Sequence, residues 1–152
     1  MAQYDKYGEL IEERVPSKLK TDRQAWKVIL LNILTLGFYE IFFFMPLTFE
    51  LDKVAPKPDR SKTFNFLFAF VLALFTGNIV MTVWMYMLTE RVEEALSQRG
   101  VDYDFSTNDF WNLYFFGGLF IFGHFLAFFY YHKLCKAMNL LCADYNEKVG
   151  AK

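Results

Sequence analysis

The stretch TFNFLFAFVLALFTGNIVMTVWMYML, residues 63–88, decides the fold class of this chain, because its 26 residues include no charged side chain. About 20 helical residues cross a hydrocarbon core of about 30 Å, so this stretch is long enough to span a membrane. A helix buried in a soluble bundle normally keeps a polar stripe, and this stretch has none. We name it block two and predict a membrane-embedded helix there.

Two further apolar stretches lie on either side of block two. Block one is WKVILLNILTLGFYEIFFFMPLTF, residues 26–49, and it carries Lys27 near its start and Glu40 inside. Block three is FWNLYFFGGLFIFGHFLAFFYY, residues 110–131, and it has no formal charge. The three blocks together predict an all-α, polytopic helical membrane protein.

The remaining segments complete the predicted organisation. Residues 1–25 are a polar N-terminal tail, and residues 132–149 have the apolar spacing of an amphipathic C-terminal helix. One membrane domain over residues 26–149 therefore follows the tail.

The composition supports a membrane location and excludes several classes of protein. Apolar residues make up 55% of the chain and aromatic residues 20%, with 19 Phe, which is more than one small soluble core holds. A net charge of −1 gives no attraction to nucleic acid, and two cysteines cannot form a disulfide framework. A disordered chain, a secreted disulfide scaffold and a nucleic-acid binder are therefore excluded.

Aromatic residues stand at the ends of the blocks. Trp26 and Trp111 open blocks one and three, Trp84 lies near the end of block two, and Tyr130 and Tyr131 close block three. Amphipathic rings favour the depth of the lipid headgroups, so this placement predicts interfacial belts.

Block one has two possible geometries, a crossing helix or a re-entrant hairpin. Gly37 and Pro46 interrupt its helical pattern. If it enters and leaves by one face, thirteen basic residues from Arg14 onward share one side and two lie on the other. Three plain crossings divide the basic residues almost evenly, so the positive-inside rule then selects no orientation. Both geometries remain open, as does the side that the termini face.

A weak internal repeat relates blocks one and two. A shift of 40 residues aligns the following four positions of block one and its exit with identical residues: Leu34, Gly37, Met45 and Glu50 with Leu74, Gly77, Met85 and Glu90. The repeat predicts that Gly77, like Gly37, marks a helix break.

Four polar residues inside the blocks are candidates for a functional site. Glu40 and His124 are titratable groups near the middle of their blocks, and intramembrane ionisable residues tend to mark functional sites. A Glu–His pair could relay protons or bind a cation, although a purely structural role is the simpler interpretation. Asn32 and Asn78 are interpreted as groups that hydrogen-bond between helices.

Other features of the blocks and of the C-terminal helix predict packing and no chemistry. Gly123 and Ala127, four residues apart, form a small-residue face suited to close helix contact. His132 and Cys135 could share one helix face, but Cys142 is two turns beyond, so we expect no metal site. Catalytic sequence motifs are absent, and we predict neither an enzyme nor a cofactor.

Three segments resemble a family of small bacterial multi-pass membrane proteins of unknown function. They are ILLNILTLGFYEIFF at residues 29–43, FTGNIVMTVWMY at residues 75–86 and KAMNLLCADYN at residues 136–146. They are similar to that family's T-L-G-I-Y break, its aromatic stretch ending in W-x-Y, and its later M-N and Y-N pairs. The chain departs from the pattern at Asn78 and Ile79, where Ile-Tyr is expected. The resemblance implies a multi-pass location in the bacterial cell membrane and no established activity.

We therefore predict a small multi-pass protein of the bacterial cytoplasmic membrane that acts as a non-catalytic interaction or accessory component. Its expected partners are the lipid bilayer and either further copies of itself or another membrane protein, with no nucleic acid. The alternative is an oligomeric ion or proton conduit that uses Glu40 and His124.

Overall fold

The computed structural model describes residues 17–55, 63–119 and 124–149. These ranges form α1 (Ala25–Leu34), α2 (Tyr39–Val54), α3 (Phe66–Phe75), α4 (Ile79–Arg99), α5 (Thr107–Asp109), a π-helix (Phe110–Phe115), α6 (Phe116–Leu119) and α7 (His124–Val149). The all-α class is confirmed, because every regular element in the described ranges is helical. Among these helices, none combines the length and the apolar character that a membrane crossing requires.

Block one folds back on itself, because its two ends meet. The guanidinium of Arg23, just before α1, forms an ion pair with Glu50 in the second half of α2. Asn32 in α1 also donates to Glu40 at the start of α2, so the two helices lie side by side. We name this α1–α2 unit hairpin one.

Blocks two and three fold back in the same way. Trp84 Nε1 in α4 donates to the carbonyl oxygen of Phe64, which precedes α3, at 2.7 Å. Lys133 Nζ in α7 lies 2.7 Å from Asp109 Oδ1, which precedes the π-helix. We name these units hairpin two (α3–α4) and hairpin three (π-helix, α6 and α7).

The described turns of hairpins one and two use left-handed backbone. Leu36 and Gly37 have φ of +52° and +92°, and Gly77 and Asn78 have φ of +58° and +75°. Left-handed backbone costs about 1–2 kcal/mol for a residue with a Cβ and much less for glycine. In each turn, one of the two left-handed residues is accordingly a glycine.

Both turns also have the same hydrogen bonds. Gly37 N–H donates to Asn32 O at 2.8 Å, and Asn78 N–H donates to Ala73 O at 3.1 Å. These bonds, which span five residues, are the long bonds of a Schellman motif. The two bonds are 41 residues apart along the chain. The weak sequence repeat aligns its identical residues at a shift of 40, so the two turns differ from it by one residue.

Replacing Gly37 with Ala is expected to lower the free energy of unfolding by about 1–2 kcal/mol, because a Cβ at this φ is strained. A Cβ there meets no atom within 4 Å, so crowding adds nothing. The matched variant is Asn78→Gly, which should leave stability unchanged or raise it slightly. Unfolding in mild detergent followed by circular dichroism measures both, and equal stability of Gly37→Ala and the parent would refute the strain.

Three expectations about helix boundaries are wrong. Block two is not one helix, because the turn at residues 76–78 divides it. Pro46 does not end a helix: α2 continues through it, since proline removes one hydrogen bond and the flanking turns remain. Block three and the C-terminal helix are not separate helices, because α7 runs from His124 to Val149 without interruption.

The core lies between the three hairpins. Phe44 packs against Phe66 and Trp84, with ring centroids 5.1 and 5.3 Å apart, and all three side chains are buried. Towards the chain ends of the hairpins, the core consists of aliphatic side chains from α2, α4 and α7, which include Leu51, Leu88, Val92, Leu134, Met138 and Leu141.

The predicted interfacial belts are wrong for three of the rings. Trp84 and Tyr130 have no exposed surface and Tyr131 is buried, because these three side chains pack in the core between the hairpins. Trp26 and Trp111, by contrast, are exposed.

Candidate functional site

The molecule has two different ends, which we name the apolar end and the polar end. The apolar end carries the turns of hairpins one and two and the start of α7, and the large side chains exposed there include Leu36 at 90%, Phe75 at 82% and Phe125 at 73%. Water-soluble monomers rarely expose so many large apolar residues together. The apolar end is therefore a candidate interaction surface.

The polar end joins the hairpins through charged side chains. Arg91 in α4 lies 2.5 Å from Asp52 in α2, although its side chain is almost fully buried. Arg99 at the end of α4 lies 2.5 Å from Asp144 in α7 and also donates to the carbonyl oxygen of Val54. The chain ends of hairpins one, two and three therefore lie together.

The segment before α1 packs against the polar end and is not a free tail. Leu19 is buried, and its backbone N–H and carbonyl bond to the side-chain amide of Asn146 at 2.8 and 2.9 Å. The Arg23 carbonyl accepts from Asn139 at 3.0 Å. Within residues 1–25, the described part from residue 17 onward thus belongs to the same folded unit as α7.

Acid is expected to remove the stabilising contribution of Asp144. Burial acts to raise the pKa of this carboxyl, but hydrogen bonds from Lys148 and Arg99 hold it below its ordinary value. The contribution is therefore present above about pH 4 and is lost as pH falls through the lower folded-state pKa. Melting temperatures below about pH 4 should fall more steeply for the parent than for Asp144→Asn, and parallel curves would contradict this.

Glu40 lies in the apolar half of the molecule, by which we mean the part between the ion pairs and the apolar end. Its carboxyl group has two side-chain partners. Asn32 Nδ2 donates to Glu40 Oε1 at 3.3 Å, and Tyr131 OH donates to the same oxygen at 3.4 Å. Asn32 Oδ1 is buried and has no hydrogen-bond partner within the described residues. A carboxyl group donates a hydrogen bond only when it is protonated, so an ionised Glu40 cannot partner this oxygen.

The other predicted site residues are distributed differently. His124 is the first residue of α7, and its side chain lies outside the described residues, as does Gly123. Asn78 is exposed in the turn of hairpin two. Its backbone is left-handed, a conformation that asparagine tolerates, and this accounts for the residue at that position better than the interhelical bond that we expected. Ala127 is half-buried on α7.

The two cysteines are buried in α7 at the polar end. Burial raises the pKa of the Cys135 thiol to about 12 and also raises that of Cys142, although nearby Arg23 partly opposes both shifts. In the described part of the chain, no three His, Cys, Asp or Glu side chains are grouped as metal ligands.

Alkylation of the native protein is expected to be slow at both thiols, because only the thiolate reacts and burial disfavours it. At about pH 8 iodoacetamide should modify Cys135 and Cys142 at least tenfold more slowly than the cysteines of the denatured chain. Mass spectrometry of timed samples measures both rates. Native rates equal to those in denaturant would show that the α7 core is open.

Sequence reasoning missed Arg23, Asp52, Arg91 and Tyr131. All four lie at or beyond the ends of the apolar blocks, where charged residues and tyrosines are usually interpreted as solvent-exposed or interfacial. The available signal was an arginine three residues from each relevant block end, Arg23 before block one and Arg91 after block two.

Comparison with known proteins identifies one region. No curated protein and no solved structure matches the chain. The region that does match begins at Arg23, whose ion pair closes hairpin one, and ends within α4 of hairpin two. These residues, 23–94, match the family model of a domain of unknown function, DUF4234.

Proposed function

We propose that the protein is a non-catalytic component of the bacterial cytoplasmic membrane whose three hairpins enter and leave one lipid leaflet by the same face. The observation that carries the proposal is the separation of the two ends. Apolar side chains are exposed around the turns, while the ion pairs Arg23–Glu50, Arg91–Asp52 and Arg99–Asp144 lie at the chain ends of the hairpins. Lipid is the solvent that matches the first surface, and water matches the second.

The length of the apolar half supports insertion into a single leaflet. From Phe38 to Glu50, and from Asn78 to Arg91, α2 and α4 advance about 18–20 Å at a rise of about 1.5 Å per residue. The hydrocarbon core of a bilayer is about 30 Å thick. The turns would therefore lie slightly beyond its midplane while the ion pairs remain among the headgroups.

The backbone of the turns supports this depth. Lipid offers no hydrogen-bond partners, so a turn in hydrocarbon must satisfy its own polar groups. The five-residue bonds of Gly37 and Asn78 do this for two N–H groups. The Thr35 and Thr76 hydroxyls donate to the carbonyls four residues earlier, at 2.7 and 2.9 Å. The described turns therefore need fewer hydrogen-bond partners from neighbouring helices than an open loop would.

Labelling of two introduced cysteines tests the topology. Lys53→Cys lies at the end of α2 and Gln98→Cys at the end of α4, both exposed at the polar end, while the native thiols are buried. In sealed, oriented membrane vesicles, a membrane-impermeant maleimide should label both positions from the same side. A helix crossing through block two would place them on opposite sides.

Three outcomes are informative. Labelling from one side, with Leu36→Cys protected until detergent is added, supports the proposal. Labelling from opposite sides overturns the single-leaflet arrangement. Failure of the purified protein to float with lipid vesicles overturns the membrane location itself.

Glu40 favours a second candidate function, an oligomeric ion or proton conduit. Its carboxyl group, hydrogen-bonded to Asn32 and Tyr131, is an ionisable group in the apolar half. Because three apolar segments enclose little room for a pore, a conduit would require several copies. Proton flux into liposomes that is abolished by Glu40→Gln would support the conduit, and an absence of flux in the parent protein removes it.

A further inference from the structure

A cavity of about 370 Å³ lies between the start of α1 and the middle of α7. Phe128, His132 and Lys136 line it from one face of α7, at four-residue spacing. Arg23, just before α1, and Trp26 in α1 line the opposite side. Its volume falls within the range of about 300–1,000 Å³ that small-molecule sites occupy.

The lining of the cavity favours an anion. Among the described residues, the lining contains Arg23, Lys136 and His132 and no carboxylate. Glu50 neutralises part of the charge of Arg23, whereas the exposed Lys136 ammonium lies 5.1 Å from the centroid of the Tyr103 ring. A ring face carries no formal charge, so the contact with Tyr103 is not an ion pair.

The start of α1 adds to this potential. The side chain of its N-cap residue, Gln24, accepts no bond from the backbone N–H groups of the first turn and instead accepts from the side-chain Nε1 of Trp26 at 2.9 Å. The first N–H groups of a helix carry partial positive charge, and here Ala25 and Trp26 contribute to the cavity wall.

The position of the cavity indicates that the anion is joined to hydrocarbon. It lies where the polar end meets the apolar end, beside the exposed Trp26. Phe129, next to the lining residue Phe128, is exposed, and so is Phe125, about one turn nearer the start of α7. A ligand with an anionic head and acyl chains would therefore place the head against Lys136 and His132 and the chains along α7.

We propose that this cavity binds the phosphate of an anionic phospholipid, with phosphatidylglycerol as the test case. Lys136 and His132 donate to the phosphate oxygens, and Trp26 and Phe128 cover the glycerol region. This proposal rests on the proposed insertion into lipid, and it adds the class of lipid that the inserted protein binds.

Native mass spectrometry of the full chain in mild-detergent micelles tests the site. The ligands are phosphatidylglycerol, phosphatidylcholine and soluble glycerol 3-phosphate, each titrated separately. Lys136→Gln should weaken phosphatidylglycerol binding about tenfold, as expected for the loss of a charged hydrogen bond, and Lys136→Arg should restore it. Lys53→Gln is the charge-matched control and should bind as the parent does, because Lys53 lies at the end of α2, outside the cavity.

Each result decides between the site and its alternatives. One phosphatidylglycerol per chain, lost in Lys136→Gln and retained in Lys53→Gln, supports the site. Equal weakening by both variants shows attraction to general surface charge and overturns it, as does equal affinity for glycerol 3-phosphate. Vesicle insertion without stoichiometric lipid binding overturns the site alone, whereas lipid binding in micelles without insertion overturns the proposed function alone.

Discussion

Trp84→Ala is expected to lower the free energy of unfolding by about 4 kcal/mol. The side chain is completely buried, and its ring contacts Phe44 and Phe66 at centroid distances of 5.3 and 4.8 Å. Truncation of a buried Trp leaves a cavity and costs about 3–5 kcal/mol. The substitution also removes the hydrogen bond from Trp84 Nε1 to the Phe64 carbonyl, which joins the two helices of hairpin two. Reversible unfolding in mild detergent, followed by circular dichroism, measures the loss.

Two variants separate the contributions of Trp84. Trp84→Phe keeps an aromatic ring but removes the bond to Phe64, so a loss of about 1–2 kcal/mol is expected. Trp111→Ala truncates a tryptophan that is 42% exposed and should cost clearly less than Trp84→Ala. Equal losses for Trp84→Ala and Trp111→Ala would contradict the aromatic core between the hairpins.

Glu50→Gln is expected to cost about 3 kcal/mol, because it leaves the Arg23 guanidinium without its carboxylate. The Arg23 side chain is 6% exposed and that of Glu50 is 17% exposed. Removing one partner of a buried ion pair costs about 3–5 kcal/mol, and the remaining bond of Arg23 to the Lys20 carbonyl limits the loss. The same unfolding measurement applies.

The control for Glu50→Gln is an ion pair at the surface. Lys133 lies 3.3 Å from Asp104, whose side chain is 92% exposed, so Asp104→Asn should leave stability almost unchanged. If Glu50→Gln proved as mild as Asp104→Asn, Arg23 and Glu50 would not close hairpin one in the protein.

The helical class could be predicted from the sequence, but the path of the chain could not. Hydropathy identifies residues 63–88 as apolar without indicating where the chain reverses. The reversal depends on contacts between distant residues, such as Trp84 with Phe64 and Arg91 with Asp52, which are 20 and 39 positions apart. Gly77 was predicted as a break, yet the length of block two favoured one helix.

The candidate site was predictable only in part. Glu40 is conspicuous as a carboxyl group in an apolar stretch, and Asn32 is near enough in sequence to face it across a turn. Tyr131 is 91 positions from Glu40, so no local pattern indicates its hydrogen bond. The cavity lies between the start of α1 and α7, so no local pattern of the sequence indicates it either.

The meeting of both ends of every block has a consequence for biogenesis. In the proposed arrangement, the charged connections, including residues 90–109 with six acidic side chains, never pass through hydrocarbon. Each ionised side chain carried to the bilayer centre costs several kcal/mol, so this topology avoids the largest barrier to insertion. The hairpins could then enter from the side of synthesis without a translocation channel.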